Sequence, residues 1–112
     1  MEKYIKIDRI SDISDDKWTL LSQEIKKGSL IIYPTDTVYG LGAIVTNEQS
    51  INNVYLAKSR SFSSPLIALL SSVDKVEEVA TISDENREIL EKLAHAFWPG
   101  ALTVILKRKK HI

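Results

Sequence analysis

Apolar and polar positions along the chain change their period several times, and each change marks an element. Tyr4-Ile5-Lys6-Ile7 alternates weakly and reads as an edge strand or arm. Asp15 and Asp16 open a helix in which Trp18, Leu21 and Ile25 fall at i, i+3 and i+7, with Leu20 adjacent. Two acids in its first turn and Lys26-Lys27 in its last suit the helix dipole. Gly28 stands just past the end, where glycine is favoured. Leu30-Ile31-Ile32-Tyr33 is a continuous apolar run, the pattern of a strand buried on both faces. Pro34 lacks an N–H and ends ladder pairing there. Residues 43–45 predict a further short strand. Thr46-Asn47-Glu48-Gln49 fits a capping box with Thr46 as N-cap. The helix it opens runs to Ala57 or Lys58 and places Ile51, Val54, Tyr55 and Lys58 on one face.

A polar loop over residues 59–64 follows, and Pro65 restricts the residue before it. Leu66-Ile67-Ala68-Leu69-Leu70 reads as a second buried strand. Ser72 or Asp74 begins a short helix through Val79. Ser83 caps a longer one over Asp84 to Phe97, with Ile89, Leu90, Leu93, Ala94 and Phe97 apolar at helical spacing. Pro99-Gly100 stops it, and residues 101–106 form a third apolar strand. The order β, α, β, (β), α, β, α, α, β predicts an α/β (α+β) fold: a twisted open mixed sheet with flanking helices. A sheet ending at residue 106 would leave a strand edge exposed.

Composition narrows this only slightly. A chain of 112 residues makes one domain, and 44% hydrophobic with 27% charged residues is ordinary for a globular protein. The net charge of zero gives no global field to steer a polyanion. Basic character is local, in Lys107-Arg108-Lys109-Lys110, which reads as a solvated tail or an RNA contact. The absence of cysteine excludes disulfide, thiolate-metal and cysteine-nucleophile chemistry. His95 and His111 are far apart, which argues against a histidine-rich metal site. No apolar run reaches the length of a membrane span, and the charged N-terminus does not resemble a signal peptide. The expectation is a cytoplasmic protein.

The chemistry-bearing residues gather around the first buried strand. Thr35, Asp36 and Thr37 sit at its mouth, where open α/β sheets hold ligands, although such residues also suit a plain turn. Gly40 and Gly42 flank Leu41 and let backbone approach a ligand or another strand. Lys58 and Arg60 lie near a helix end: the first offers a point charge, the second a planar fork, and both suit phosphates. Their alternative is simple solvation in the last turn. Ser61, Ser63 and Ser64 are loop hydroxyls. Trp98-Pro99-Gly100 reads as a structural helix stop, and Thr103 either faces a site or suits a strand. No Walker loop, G-x-G-x-x-G, G-x-S-x-G or H-E-x-x-H motif is present.

Taken together, PTDTVYGLGA, Lys58-Ser59-Arg60, Ser-Pro-Leu-Ile at residues 64–67 and WPGALT at residues 98–103 resemble the threonylcarbamoyl-AMP synthase family, the YrdC/YciO group. The resemblance covers residues 14–108 and corresponds to the N-terminal half of the family domain, without the Ser-x-Asn segment that helps hold the nucleotide. Residues 1–112 are accordingly read as a partial YrdC-like domain. The resemblance implies an L-threonylcarbamoyladenylate synthase, a nucleotidyltransferase that makes threonylcarbamoyl-AMP and pyrophosphate from ATP, L-threonine and bicarbonate for tRNA modification. It implies Mg²⁺ with the ATP, with no dedicated protein metal site in the sequence. It assigns Lys58 and Arg60 as catalytic, and Thr35, Thr37, Lys58, Arg60, Ser64 and Thr103 as substrate-binding. Thr37 matches the position that contacts threonine. Asp36 stands where relatives often carry Glu, Ser64 where many carry Asn, and Leu69 where many carry His. The implied partners include double-stranded RNA or tRNA and tRNA-modification proteins. The alternative is a non-catalytic RNA- or nucleotide-binding module of the same fold.

Overall fold

A computed structural model of the chain describes residues 8–112, so the edge strand expected at residues 4–7 lies outside the described residues. The chain divides into two compact units, one closing at Ser61 and the other spanning Phe62–Ile112. The fold class is α+β, as the alternation of patterns predicts.

In the first unit a 3-10 turn, Ile10–Asp12, leads into helix α1, Asp15–Lys26. Ser14 is its N-cap and accepts a hydrogen bond from the Lys17 N–H at 3.3 Å, satisfying one of the orphan donors of the first turn. Strand β1, Ile31–Tyr33, pairs antiparallel with β2, Gly40–Gly42, in the register Ile31 to Gly42 and Tyr33 to Gly40. Helix α2, Glu48–Ala57, packs against β2 and buries Ser50, Val54 and Tyr55. Its N-cap is Asn47, whose side-chain oxygen accepts from the Ser50 N–H at 3.0 Å. Thr46 therefore lies one residue outside the helix, and the capping box does not form; Gln49 instead donates to Asn53 along the helix surface at 3.1 Å. Asn and Thr are both good caps, and adjacent candidates are separated only by which one the tertiary structure tucks under the first turn.

The second unit is built on helix α4, Asp84–Phe97, capped by Ser83 through the Asn86 N–H at 3.2 Å. A 3-10 turn, Val73–Lys75, and helix α3, Val76–Val79, precede it. Strand β3, Ala80–Thr81, pairs antiparallel with β4, Lys107–Arg108. The core joins Val76, Ala80 and Leu90, with Leu70, Ile82, Trp98, Val104 and Leu106 packed around them. Trp98 ends α4 as expected, facing this core while its indole N–H donates to the Leu102 carbonyl at 2.8 Å. Amphipathic helix α4 turns Leu90 and Ala94 inward, whereas Ile89 and Phe97 face out.

Five strand expectations change. Both described ladders are antiparallel pairs, not parallel or mixed strands. Among the described residues, residues 66–70 carry no ladder, and Ile67 and Leu69 are 70% and 67% exposed. Residues 101–106 also lack a ladder, but their side chains alternate: Leu102, Val104 and Leu106 are half-buried while Thr103 and Ile105 are exposed. The second strand of the first unit forms at Gly40–Gly42 rather than at residues 43–45. Apolar, β-branched composition marks a segment fit for a sheet, but a ladder also requires a partner strand, which local sequence does not supply. β1 has its partner but is not buried on both faces, since Ile32 is 74% exposed.

Candidate functional site

The site residues of the first unit lie at the exits of two elements, β1 and α2. After Tyr33 the chain passes Pro34, whose missing N–H ends the ladder, and then folds into a tight turn. The Thr35 hydroxyl makes this turn. It accepts from the Thr37 N–H at 3.2 Å and donates to the Val38 carbonyl, a local side-chain-to-backbone pattern that replaces ladder bonds. Its oxygen also lies 3.5 Å from that of Thr37. The one hydroxyl proton of Thr35 is thus directed at backbone, and the Thr37 hydroxyl is left at the mouth with a single weak contact. Thr35, Asp36, Thr37, Val38 and Tyr39 are all exposed.

Gly40 and Gly42 serve this turn in a way that their spacing does not announce. A Cβ on Gly40 would lie 2.7 Å from Tyr33 Cζ, and one on Gly42 would lie 2.9 Å from Tyr33 Cε1. The Tyr33 ring lies across both glycines of the neighbouring strand, an aromatic-over-glycine pairing. The close approach permitted by these glycines is therefore to an aromatic side chain of the partner strand. The sequence carried a usable signal, since an antiparallel pairing of the run at Tyr33 with Gly-Leu-Gly sets the aromatic against them.

Lys58 and Arg60 lie at the end of α2. Lys58 is the C-cap, and the Ser59 backbone turns to φ +50°. The Ser59 N–H donates to the Leu56 carbonyl at 3.1 Å and the Arg60 N–H to the Tyr55 carbonyl at 2.9 Å. These two bonds make a Schellman motif, which closes the orphan carbonyls of the last turn. Serine here costs about 1 kcal/mol relative to glycine, because Cβ crowds the carbonyl in the left-handed region. The partial negative charge of a helix end favours Lys58 and Arg60 beside it. Both are exposed.

The entrances of the two elements share an anchor that the sequence did not reveal. Ser50, 2% exposed, donates its hydroxyl to the Gly28 carbonyl at 2.8 Å. The first turn of α2 is thereby tied to the residue that leads into β1. Nothing in the local sequence marks Ser50, because its partner lies 22 residues away. Ser64, half-buried, and Thr103, exposed, belong to the second unit. Leu69 is an exposed side chain of that unit.

Among the described residues no group of three or more His, Cys, Asp or Glu is placed to hold a metal ion. A carboxylate seat for Mg²⁺ does not fit this site, where Asp36 is the one acid of the Thr35–Thr37 turn. No helix among the described residues is long and apolar enough to cross a membrane.

The first unit thus presents a cationic helix end at Lys58 and Arg60 and a hydroxyl-lined strand exit at Thr35 and Thr37. The chain belongs to the Sua5/YciO/YrdC family: that family's model, described as telomere recombination, matches residues 23–112, which include every site residue named above. A protein of Methanocaldococcus jannaschii is 36% identical over 111 residues, which is 98% of this chain and 52% of the relative. The threonylcarbamoyl-AMP synthase of Pyrococcus abyssi is 38% identical over 77% of this chain and 24% of its own length. That of Bacillus subtilis is 36% identical over 76% and 24%. The crystal structure of P. abyssi Sua5 complexed with L-threonine is similar with a TM-score of 0.77 at 34% identity, over 88% of this chain and 28% of that one. The chain thus spans about half the length of the first relative and about a quarter of the other two.

Proposed function

We propose that this chain carries the substrate-handling elements of an L-threonylcarbamoyladenylate synthase. The observation that carries the reading is the likeness, over 88% of the chain, to a family structure complexed with L-threonine. In the reaction, the amine of L-threonine and bicarbonate give a carbamate with loss of water. A carbamate oxygen then attacks the α-phosphorus of ATP, the bond to the β-phosphate oxygen breaks, and pyrophosphate leaves. The chemistry requires positioning and charge neutralisation rather than a covalent intermediate on the protein.

Lys58 supplies a point charge to the phosphates, and the Arg60 fork holds carboxylate or phosphate oxygens. Thr37 holds the substrate threonine, and Thr35 acts by fixing the Thr37 backbone. Ser64 and Thr103, residues of the second unit, are assigned to substrate binding by the family resemblance alone. Mg²⁺ would enter with ATP as part of the substrate and would supply further charge neutralisation at the phosphates. The product serves modification of the tRNA adenosine next to the anticodon, in the cytoplasm, with tRNA and modification proteins as partners.

Calorimetric titration of ATP into the chain, with and without L-threonine and bicarbonate, tests the reading. Micromolar ATP affinity that L-threonine tightens is the expected result. Removing either cation, by Lys58→Ala or Arg60→Ala, weakens ATP binding by about 30-fold, the loss of roughly 2 kcal/mol of charge-assisted contact. Salt-sensitive retention of double-stranded RNA with no threonine-dependent pyrophosphate release identifies the non-catalytic module instead.

A further inference from the structure

We infer that Ser59 is a positioning residue whose left-handed backbone, and not its hydroxyl, brings Lys58 and Arg60 to one anion. The inference rests on the reading of these two cations as a phosphate site. Successive helical residues are about 100° apart around the axis, so residues at i and i+2 do not face each other. Were α2 to continue through Arg60, its two cations would leave the helix on nearly opposite sides. They converge only if the residue between them abandons helical φ/ψ. Ser59 does so at φ +50°, and the cap bonds from Ser59 to Leu56 and from Arg60 to Tyr55 hold it there. The same turn directs the backbone of Arg60 back onto α2 through the buried Tyr55, so the position of Arg60 is inherited from the core of the first unit.

A non-glycine residue in the left-handed region is uncommon, and asparagine tolerates it better than most, whereas a β-branched side chain is a strained outlier there. Glycine keeps the conformation without a hydroxyl. The residue at this position is thus a lever on the geometry of the cations that leaves both cations in place.

The test is calorimetric titration of inorganic pyrophosphate into the 112-residue chain and its Ser59→Gly, Ser59→Asn and Ser59→Val variants, beside Lys58→Ala and Arg60→Ala. Ser59→Gly and Ser59→Asn are expected to bind within about twofold of the parent, and Ser59→Val at least about tenfold more weakly. Hydrogen exchange of the Arg60 amide reports the cap directly: protected in the glycine and asparagine variants, exposed in the valine variant. Loss of affinity in Ser59→Gly with the Arg60 amide still protected overturns the inference and makes the hydroxyl a ligand. Parent-like affinity in Ser59→Val with the amide exposed overturns it as well. Should the valine variant not fold, the glycine and asparagine variants still decide, because tenfold loss in either with an intact cap defeats a backbone role. Pyrophosphate binding that is absent in the parent, or unchanged in Lys58→Ala and Arg60→Ala, overturns the anion-site reading itself.

Discussion

Helices α1 and α2 end in the same motif and use it for different ends. At the end of α1 the Gly28 N–H bonds the Ile25 carbonyl at 3.0 Å and the Ser29 N–H bonds the Glu24 carbonyl at 3.1 Å, with Gly28 at φ +102°. At the end of α2 the equivalent bonds come from Ser59 and Arg60. The first end is closed in: a Cβ on Gly28 would meet Ser50 Oγ at 2.7 Å and Asn47 Nδ2 at 2.9 Å. The second is open, with Lys58, Ser59 and Arg60 all exposed. Glycine is required where the cap is itself packed against a neighbour. Where the cap lies exposed, serine is tolerated at a modest cost in strain. One motif is packed into the scaffold, and the other presents the two cations of the proposed anion site at the surface.

Substitutions at the two ends should separate these roles. The largest effect is expected for Gly28→Ala, about 2–3 kcal/mol of destabilisation from the positive φ together with the contact on Ser50. In a domain of this size that lowers the melting temperature by roughly 10–20 °C in thermal denaturation followed by circular dichroism. An unchanged melting temperature would mean that the α1 end is as open as the α2 end and would remove the contrast. Ser50→Ala comes next, at about 1–2 kcal/mol, because the half-buried Gly28 carbonyl loses its donor. Combining Ser50→Ala with Gly28→Ala should cost less than the sum, since the alanine at position 50 removes the oxygen that the new Cβ meets. Ser59→Gly should act in the opposite sense and raise stability by up to about 1 kcal/mol, measured as a shifted denaturant midpoint. Destabilisation there would show that serine suits its strained position for a reason besides geometry.

The smallest effect is expected away from both ends. Lys75 and Glu78 form an exposed pair at 2.9 Å, and the hydrogen bond and negative charge of Glu78 hold the ammonium above its ordinary pKa. A raised pKa means that any contribution to stability is complete below the ordinary lysine range and fades as pH climbs through the raised value. Lys75→Met should leave the denaturant midpoint unchanged near neutrality, because solvent screens such pairs. A clear shift would show a larger role for the surface of α3 than its exposure indicates.

The legible parts of this chain are those decided within a turn of helix. Acids at Asp15-Asp16, glycine at position 28, the Ser83 cap and the Pro99-Gly100 stop announce helix ends in the sequence, and α1 and α4 follow them. The candidate cations were legible as types, Lys and Arg near a helix end, but the turn at Ser59 was not, because serine does not advertise a positive φ. Thr35 and Thr37 were legible as a polar mouth. That Thr35 turns its hydroxyl proton onto the Val38 carbonyl emerged only from the folded turn.

Local sequence by itself determined where α1 and α4 begin and end, since capping groups and dipoles act over three or four residues and need no distant partner. Only the tertiary structure decided which apolar runs became strands. Residues 66–70 and 101–106 have the composition of strands and carry no ladder, whereas the polar pair Lys107–Arg108 joins Ala80–Thr81. Strand pairing is a bond between segments distant in sequence. Its two halves are encoded separately, and the same holds for the Tyr33 ring on its glycines and for Ser50 on the Gly28 carbonyl.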